Sequence, residues 1–169
     1  VDAITQLVLH KPEVIQLTEE PQEVTLIQQR AFRVDQEKKG PFLRYLIRSM
    51  DMQQVLIFTA SGHSADHVAD KLKKHGIDAE STHGKKSQGA RQNALAAFKK
   101  GTLRVLVATD LLSRGIDIDS LPYVINYELP RSPKDYIHRI GRTGRAAQAG
   151  EAISIITPED QHHFKVIQK

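Results

Sequence analysis

The chain has 169 residues, no cysteine, and a formal net charge of +4 from 24 Lys and Arg against 20 Asp and Glu. This length predicts one domain of roughly 100–200 residues with a single core. The absence of cysteine excludes a disulfide scaffold, a thiolate nucleophile and metal sites built on thiolate ligands, and we expect no metal site. The apolar runs are far shorter than the ~20 residues of a membrane-spanning helix, so we expect no membrane partner and a cytoplasmic location.

The first 22 residues differ in composition from the rest. They contain Pro12 and Pro21 and more acidic than basic side chains, which is typical of a linker or tail. The chain also begins without Met, and we expect it to be a piece of a longer protein. We therefore predict a linker or tail over 1–22 and one folded domain over 23–169.

Short apolar runs alternate with amphipathic segments along the rest of the chain. Runs rich in β-branched residues predict strands, and apolar residues three and four apart predict helices. Gly76 and Gly101 are expected to end two of the helices. The predicted strands are 24–34, 55–58, 104–108, 123–127 and 152–156, and the predicted helices are 42–50, 65–72, 87–100, 133–140 and 158–167.

Continuously apolar strands separated by helices predict an α/β fold. We expect a doubly wound, mostly parallel sheet flanked by helices on both faces. Ligands bind such sheets at the carboxyl ends of the strands. The loops after Phe58, Ala108 and Tyr127 are therefore expected to carry the function.

Basic charge is concentrated in two stretches. Residues 81–109 hold six Lys and Arg and no acidic residue, and residues 131–145 hold five against Asp135 alone. Within the second stretch, His138-Arg139-Ile140-Gly141-Arg142-Thr143-Gly144-Arg145 combines guanidinium groups, which match phosphate oxygens, with glycines that let a backbone approach a ligand. This pattern favours a phosphate-binding site over a merely solvated basic helix end.

Two further motifs follow predicted strands. Thr109-Asp110 ends one strand. It is followed by Arg114, which supplies a cation, by Gly115, which gives a flexible backbone, and by Asp117, which supplies a carboxylate. The stretch from His83 to Arg91 leads from a strand into a helix, where free N–H groups bind anions and where Gln88 and Arg91 lie on one side. Both stretches also fit ordinary turns, with Asp110 or Ser87 as a helix cap. Asp66, Asp70, Lys73 and Lys74 are expected to form a solvated helix face.

Taken together and in this order, the motifs resemble the second, C-terminal RecA-like domain of DEAD-box ATP-dependent RNA helicases. The resemblance runs through Val55-Leu56-Ile57-Phe58-Thr59, Gln88-Gly89-Ala90-Arg91, Ala108-Thr109-Asp110 to Asp117, and His138 to Arg145. It covers about 24–169, and four ordered motifs are more specific than any one of them. The fold it implies is RecA-like.

The resemblance implies a role for each matching position. Arg142 and Arg145 match arginine fingers that stabilise charge on the γ-phosphate of ATP, and His138 matches a catalytic histidine that couples the ATP site to the other domain. Gly115 and Asp117 match nucleotide contacts, the carboxylate on the ribose. The positions that match RNA-binding residues are Thr59, Gly84, Gln88, Arg91, Thr109, Asp110 and Arg114.

The rest of such an enzyme is absent from this sequence. There is no G-x-x-x-x-G-K-[ST] phosphate loop and no Asp-Glu-Ala-Asp run, both of which the family carries in its first RecA-like domain. We therefore expect ATP with Mg²⁺ to be bound mainly by that missing domain, of which 1–22 is the tail or linker. The expected partners are RNA and the N-terminal RecA-like domain of the same chain, in a monomer that unwinds short RNA duplexes. Alone, this chain is expected to hydrolyse no ATP.

Two alternatives stay open on the sequence. A basic α/β domain of this kind binds nucleic acid without hydrolysing ATP if its arginines serve only RNA phosphates. A related helicase acting on DNA shares much of the same pattern. A dinucleotide-binding Rossmann enzyme is disfavoured, because no G-x-G-x-x-G follows any predicted strand.

Overall fold

The computed structural model describes residues 14–16 (backbone), 27–110, 121–140, 142 and 150–168. These residues form one seven-stranded sheet in the order β1-β2-β7-β6-β3-β5-β4. Strand β1 is antiparallel to β2, and every other neighbouring pair is parallel. The strands are β1 Val14–Gln16, β2 Ile27–Arg33, β3 Val55–Thr59, β4 Ala79–Thr82, β5 Val105–Thr109, β6 Tyr123–Asn126 and β7 Gly150–Ile156.

Helices cover both faces of the sheet, which confirms the predicted α/β, RecA-like architecture. Helices α1 and α2 pack with Ile57 and Val107 on one face. Helix α3 packs with Leu56 and Leu106 on the other, and α4 and α5 cover that second face nearer β7. The helices are α1 Lys39–Ser49, α2 Gly62–Lys74, α3 Gln88–Lys100, α4 Pro133–Ile140 and α5 Gln161–Gln168.

Local sequence signals set the helix ends. The hydroxyl oxygens of Ser61 and Ser87 accept hydrogen bonds from backbone N–H groups in the first turns of α2 and α3, both at 3.1 Å. Gly76 and Gly101 adopt φ of 85° and 83° just after the same helices, as predicted for their ends. Both α2 and α3 are therefore capped at each end, and the chain returns to the sheet after each helix.

Besides β4, for which the sequence indicates a strand before His83 without bounds, two elements differ from the sequence-based prediction. Strand β1 lies within 1–22, where no strand is predicted, because a three-residue run carries no periodic signal and forms only by pairing with β2. Helix α1 begins at Lys39, before Gly40 and Pro41 rather than after them. Pro41 is tolerated there because the first N–H groups of a helix have no intrahelical acceptor.

None of the helices within the described ranges is long and apolar enough to cross a membrane. The longest, α2 and α3, have 13 residues each.

Phe98 anchors α3 to the sheet and is fully buried. We expect Phe98→Ala to lower the free energy of unfolding by about 3–5 kcal/mol, because it removes a large apolar side chain and leaves a cavity. Urea denaturation of the 169-residue chain measures this loss. Val166→Ala, at a side chain that is 42% exposed, is the control and should change stability by less than about 0.5 kcal/mol. Similar losses in both variants would contradict the packing of α3.

Candidate functional site

The carboxyl ends of four neighbouring strands form a cleft. Strands β6, β3, β5 and β4 are adjacent in that order, and the segments that follow them line a cavity of about 650 Å³. Three of the predicted RNA-binding residues, Gly84, Thr109 and Asp110, line it. The loops after Phe58 and Ala108 thus meet at one edge of the sheet, as a parallel sheet requires.

Hydrogen bonds to buried and neighbouring groups fix the position of the loop after β3. Thr59 is fully buried, and its hydroxyl donates a hydrogen bond to the carbonyl of Ser61 at 3.0 Å. The N–H of Ala60 donates to Oε1 of Glu128 at 2.7 Å, which ties this loop to the segment after β6. Thr59 therefore supports the cleft from inside rather than exposing its hydroxyl to a ligand.

Arg139 of α4 is fully buried beneath the cleft. Its Nε and Nη2 donate to the two carboxylate oxygens of Asp110 at 2.5 and 2.8 Å. Its Nη1 donates to Oδ1 of Asn126 at 3.1 Å and to the carbonyl of Glu128 at 2.5 Å. The guanidinium carbon lies 5.2 Å from the centroid of the Phe58 ring. One side chain therefore joins the ends of β3, β5 and β6 to α4.

The Arg139 pair also changes the charge of the cleft. Asp110 lines the cleft, and its side chain is 30% exposed, but its negative charge is matched by the guanidinium of Arg139. A buried charge is tolerated only when it is paired and hydrogen-bonded, so the two residues depend on each other. An RNA-binding role for Asp110 stays a prediction.

A second cluster fixes the turn between β4 and α3. Oδ1 of Asp66 accepts hydrogen bonds from the hydroxyl of Ser81 at 2.5 Å and from Nε2 of His83 at 3.0 Å. Nζ of Lys86 lies 3.7 Å from the same oxygen. The N–H of Lys85 lies 3.2 Å from Nδ1 of His83, so both ring nitrogens of His83 have a partner within the domain.

Electrostatics keep Asp66 ionised in this cluster. Partial burial opposes its charge, but the hydrogen bonds from Ser81 and His83 and the charge of Lys86 outweigh that cost and lower the pKa of Asp66 below its ordinary value. The side chain of Asp66 is 45% exposed, so it lies on a solvated helix face as predicted, and it also holds Ser81 and His83. Its partners follow 15 and 17 residues later in the chain, and only the packing of α2 against β4 brings them together.

Gly62 makes this packing possible. A Cβ atom at Gly62 would lie 2.6 Å from Nδ1 of His83, closer than nonbonded atoms approach. The first residue of α2 is therefore glycine because the ring of His83 packs against its backbone.

Gln88 and Arg91, predicted to lie on one side of α3, do so, and Nη2 of Arg91 donates to Oε1 of Gln88 at 2.8 Å.

The predicted nucleotide-binding residues are described only in part. His138 lies on α4, and its Nδ1 is buried without a hydrogen-bond partner among the described residues. Arg142 is half-buried, and its carbonyl accepts from the N–H of Leu121 at 3.0 Å. The remaining predicted site residues, Arg114, Gly115, Asp117 and Arg145, lie outside the described residues.

Sequence reasoning missed the supporting roles of Arg139, Glu128 and Asp66. For Arg139 a signal was present, because it lies three residues after Tyr136, an apolar ring that is buried on the same helix. That spacing places its side chain on the inner face of α4. For Glu128 and Asp66 no local pattern points to their partners.

We expect Arg139→Ala to lower the free energy of unfolding by about 3–5 kcal/mol, because it leaves the Asp110 carboxylate and two further oxygens without their donor. Arg139→Lys keeps the positive charge but lacks the forked donors of the guanidinium group, and it should lower the free energy of unfolding by less than Arg139→Ala does. Guanidinium denaturation compares the two variants with the parent chain. A loss below about 1 kcal/mol in Arg139→Ala would instead indicate a weak, surface-like ion pair.

Gly62→Ala should displace His83 and lower the free energy of unfolding by about 1–3 kcal/mol, the usual cost of overpacking. Gly89→Ala is the matched control, because a Cβ there meets nothing within 4 Å. That variant should be neutral or more stable by about 0.5–1 kcal/mol, since alanine favours a helix over glycine. Thermal unfolding measures the stability of each variant, and NMR of the histidine rings shows whether His83 has moved. Equal changes in Gly62→Ala and Gly89→Ala would contradict the contact between Gly62 and His83.

Comparison with known proteins gives this site a context. The model of the helicase conserved C-terminal domain matches residues 38–147. The DEAD-box ATP-dependent RNA helicase CshA of Geobacillus kaustophilus is 34% identical over 165 residues, which are 96% of this chain and 35% of that protein. The chain thus spans about a third of the length of this relative.

Solved structures agree with this assignment. A DEAD box protein from Methanococcus jannaschii superposes with a TM-score of 0.80 at 36% identity, over 86% of this chain and 40% of that one. S. cerevisiae Dbp5 bound to RNA and ADP BeF3 gives a TM-score of 0.73 at 34% identity, over 79% of this chain and 36% of that one. With the parallel sheet and its helices, these matches make the chain a C-terminal, RecA-like helicase domain of the DEAD-box family.

Proposed function

We propose that this chain is the C-terminal half of an ATP-dependent RNA helicase that unwinds short RNA duplexes. In this role it contributes one wall of an RNA site and supplies Arg142 and Arg145 to ATP held between two domains. The observation that carries the proposal is the convergence of four strand ends on one cleft lined by Gly84, Thr109 and Asp110. A cleft of this kind forms where parallel α/β sheets bind their ligands.

The groups around the cleft suit a sugar-phosphate backbone. The N-termini of α2 and α3 follow the ends of β3 and β4, and helix N-termini favour anions. Asp110 is paired with Arg139, which reduces its repulsion of a phosphate. Backbone N–H groups, hydroxyls and cations contact phosphate and ribose rather than base edges, so we infer binding that does not depend on RNA sequence.

The nucleotide side of the proposal rests on α4 and the segment after it. The role proposed for His138 follows from the motif that it shares with the family; its Nδ1 is buried and has no partner within the described part of the chain. Arg142 follows α4 by two residues. Bound ATP with Mg²⁺, held mainly by the first domain, supplies the phosphoryl group that is transferred to water. The guanidinium groups of Arg142 and Arg145 would stabilise the negative charge that develops on its oxygens.

The relatives support both halves of this proposal. CshA is named an ATP-dependent RNA helicase, and the Dbp5 structure contains RNA together with ADP BeF3. If the closed arrangement of two domains binds RNA and ATP better than the open one, each ligand favours binding of the other. Closure on one RNA strand would then separate it from its complement.

We expect Arg142→Ala to reduce RNA-stimulated ATP hydrolysis by roughly 10³-fold or more in the two-domain protein, because an arginine that stabilises the transition state is worth about 10³–10⁵ in rate. A coupled phosphate-release assay, with and without single-stranded RNA, measures the loss. Circular dichroism of the 169-residue chain checks that the variant folds.

Lys74→Ala is the control, because it removes one exposed cation in the last turn of α2. It should leave turnover unchanged. Full turnover in both Arg142→Ala and Arg145→Ala would refute the arginine-finger assignment. RNA binding without any hydrolysis in a folded two-domain protein would favour a non-catalytic binding module.

A further inference from the structure

A row of polar side chains crosses the sheet beneath α4. Its members are Gln29 of β2, Ser154 of β7 and Asn126 of β6, and all three are buried. Ser154 lies opposite Asn126 in the sheet register, and Gln29 lies two residues before Ala31, which is opposite Ser154 on β2. Side chains two residues apart on a strand point to the same face, so the row lies on one face of the sheet. Neighbouring side chains on this face, such as Ala31 and Ala152, belong to the apolar core.

Helix α4 reaches this row with two side chains that lie one turn apart. The hydroxyl of Tyr136 donates a hydrogen bond to Oε1 of Gln29 at 2.9 Å, and it is also hydrogen-bonded to the side chain of Ser154. Nη1 of Arg139 donates to Oδ1 of Asn126 at 3.1 Å, and Nδ2 of Asn126 donates to the hydroxyl oxygen of Ser154 at 3.1 Å. The two anchors of α4 are therefore joined to each other through the sheet.

The polar groups of the row are matched to one another although they are buried. Burial raises the pKa of Tyr136 above its ordinary value, so its hydroxyl stays protonated at neutral pH and donates to Gln29. Replacing both partners of a buried hydrogen bond by apolar side chains of similar shape costs a protein little stability. The advantage of a polar row over an apolar face is therefore the direction that its hydrogen bonds impose.

Apolar contacts alone would leave the orientation of α4 loosely defined. Ile140 of α4 belongs to the same apolar cluster as Ala152 of β7, but contacts of this kind have no preferred direction. A hydrogen bond holds only within narrow limits of distance and angle. Two anchors three residues apart therefore fix both the rotation of α4 about its axis and its direction across the sheet. Without the anchor at Tyr136, the helix could pivot about Arg139.

We infer that Tyr136 is a positioning residue for Arg142 and that it acts through its hydrogen bond to Gln29. This inference rests on the proposed function, since it assumes that Arg142 meets ATP. Arg142 follows the last residue of α4 by two positions, so a change in the orientation of the helix moves the segment that carries it. Neither Tyr136 nor Gln29 is among the residues that line the cleft.

The test is the steady-state kinetics of RNA-stimulated ATP hydrolysis by the two-domain protein with Tyr136→Phe, which removes only the hydroxyl. We expect kcat to fall by about 10- to 100-fold, because a displacement of about 1 Å in a reacting group costs roughly 10²-fold in rate. The KM for ATP should stay that of the parent protein, since the first domain holds most of the nucleotide in the proposed function. Circular dichroism at the assay temperature gives the folded fraction, by which kcat is corrected for any loss of stability.

Tyr123→Phe is the matched control, because it removes the same hydroxyl from another tyrosine. Tyr123 is half-buried and begins β6, at the opposite end of that strand from Asn126. Within the part of the chain that the structure describes, its hydroxyl forms no hydrogen bond. This variant should keep the kcat and the KM of the parent protein.

Gln29→Met tests the same hydrogen bond from the side of the sheet. It removes the acceptor of the Tyr136 hydroxyl, keeps a side chain of similar length, and lies on β2 rather than on α4. We expect the same fall in kcat as in Tyr136→Phe. The double variant should show no further fall, because both substitutions remove one interaction. If Tyr136→Phe does not fold, the comparison of Gln29→Met with the parent protein decides the inference.

Three results would overturn the inference. Parent-like kcat in folded Tyr136→Phe would show that the hydroxyl serves stability alone, and the proposed function would stand if Arg142→Ala still abolishes turnover. Losses that multiply in the double variant would show that the bond between Tyr136 and Gln29 does not hold α4 in place. A parent protein without RNA-stimulated hydrolysis would refute the proposed function together with the inference.

Discussion

The site depends on one buried ion pair. Arg139 brings a permanent charge into the interior beneath the sheet edge, where it persists only because Asp110, Asn126 and the carbonyl of Glu128 accept its hydrogen bonds. These acceptors come from the end of β5, from β6 and from the segment after it. Since the fork of a guanidinium is rigid, its partners are held at fixed positions relative to α4. The same helix carries His138 and leads to Arg142.

Around this pair, each loop of the cleft is bound to another element. Glu128 accepts from the N–H of Ala60, so the loops after β3 and β6 are joined. Asp66 of α2 holds His83, so the turn after β4 is joined to the helix that follows β3. A surface fixed in this way loses little conformational entropy when it binds a ligand. That property suits a domain proposed to act by closing on RNA and on a second domain.

The sequence predicted most of the fold but less of the site. Strands such as β3 and β5 are short, continuously apolar and β-branched, and residues such as Gly76 and Gly101 mark helix ends, so their signals are local. The order of motifs was specific enough to indicate the family. In contrast, the roles of Asp66 and Glu128 depend on partners distant in the chain, and strand β1 depends on pairing with β2.

The sequence by itself determined the fold class, the helix ends at Gly76 and Gly101 and the residue types that meet a phosphate, because periodicity, capping and side-chain chemistry act over a few residues. Tertiary structure alone decided which acceptors meet the charge of Arg139 and which other cations face the cleft. Arg139 and Arg131 differ little as residues in a basic stretch, yet one is fully buried and the other is exposed. The physical reason is that burial of a charge depends on acceptors supplied by other strands, and only the folded sheet brings those acceptors together.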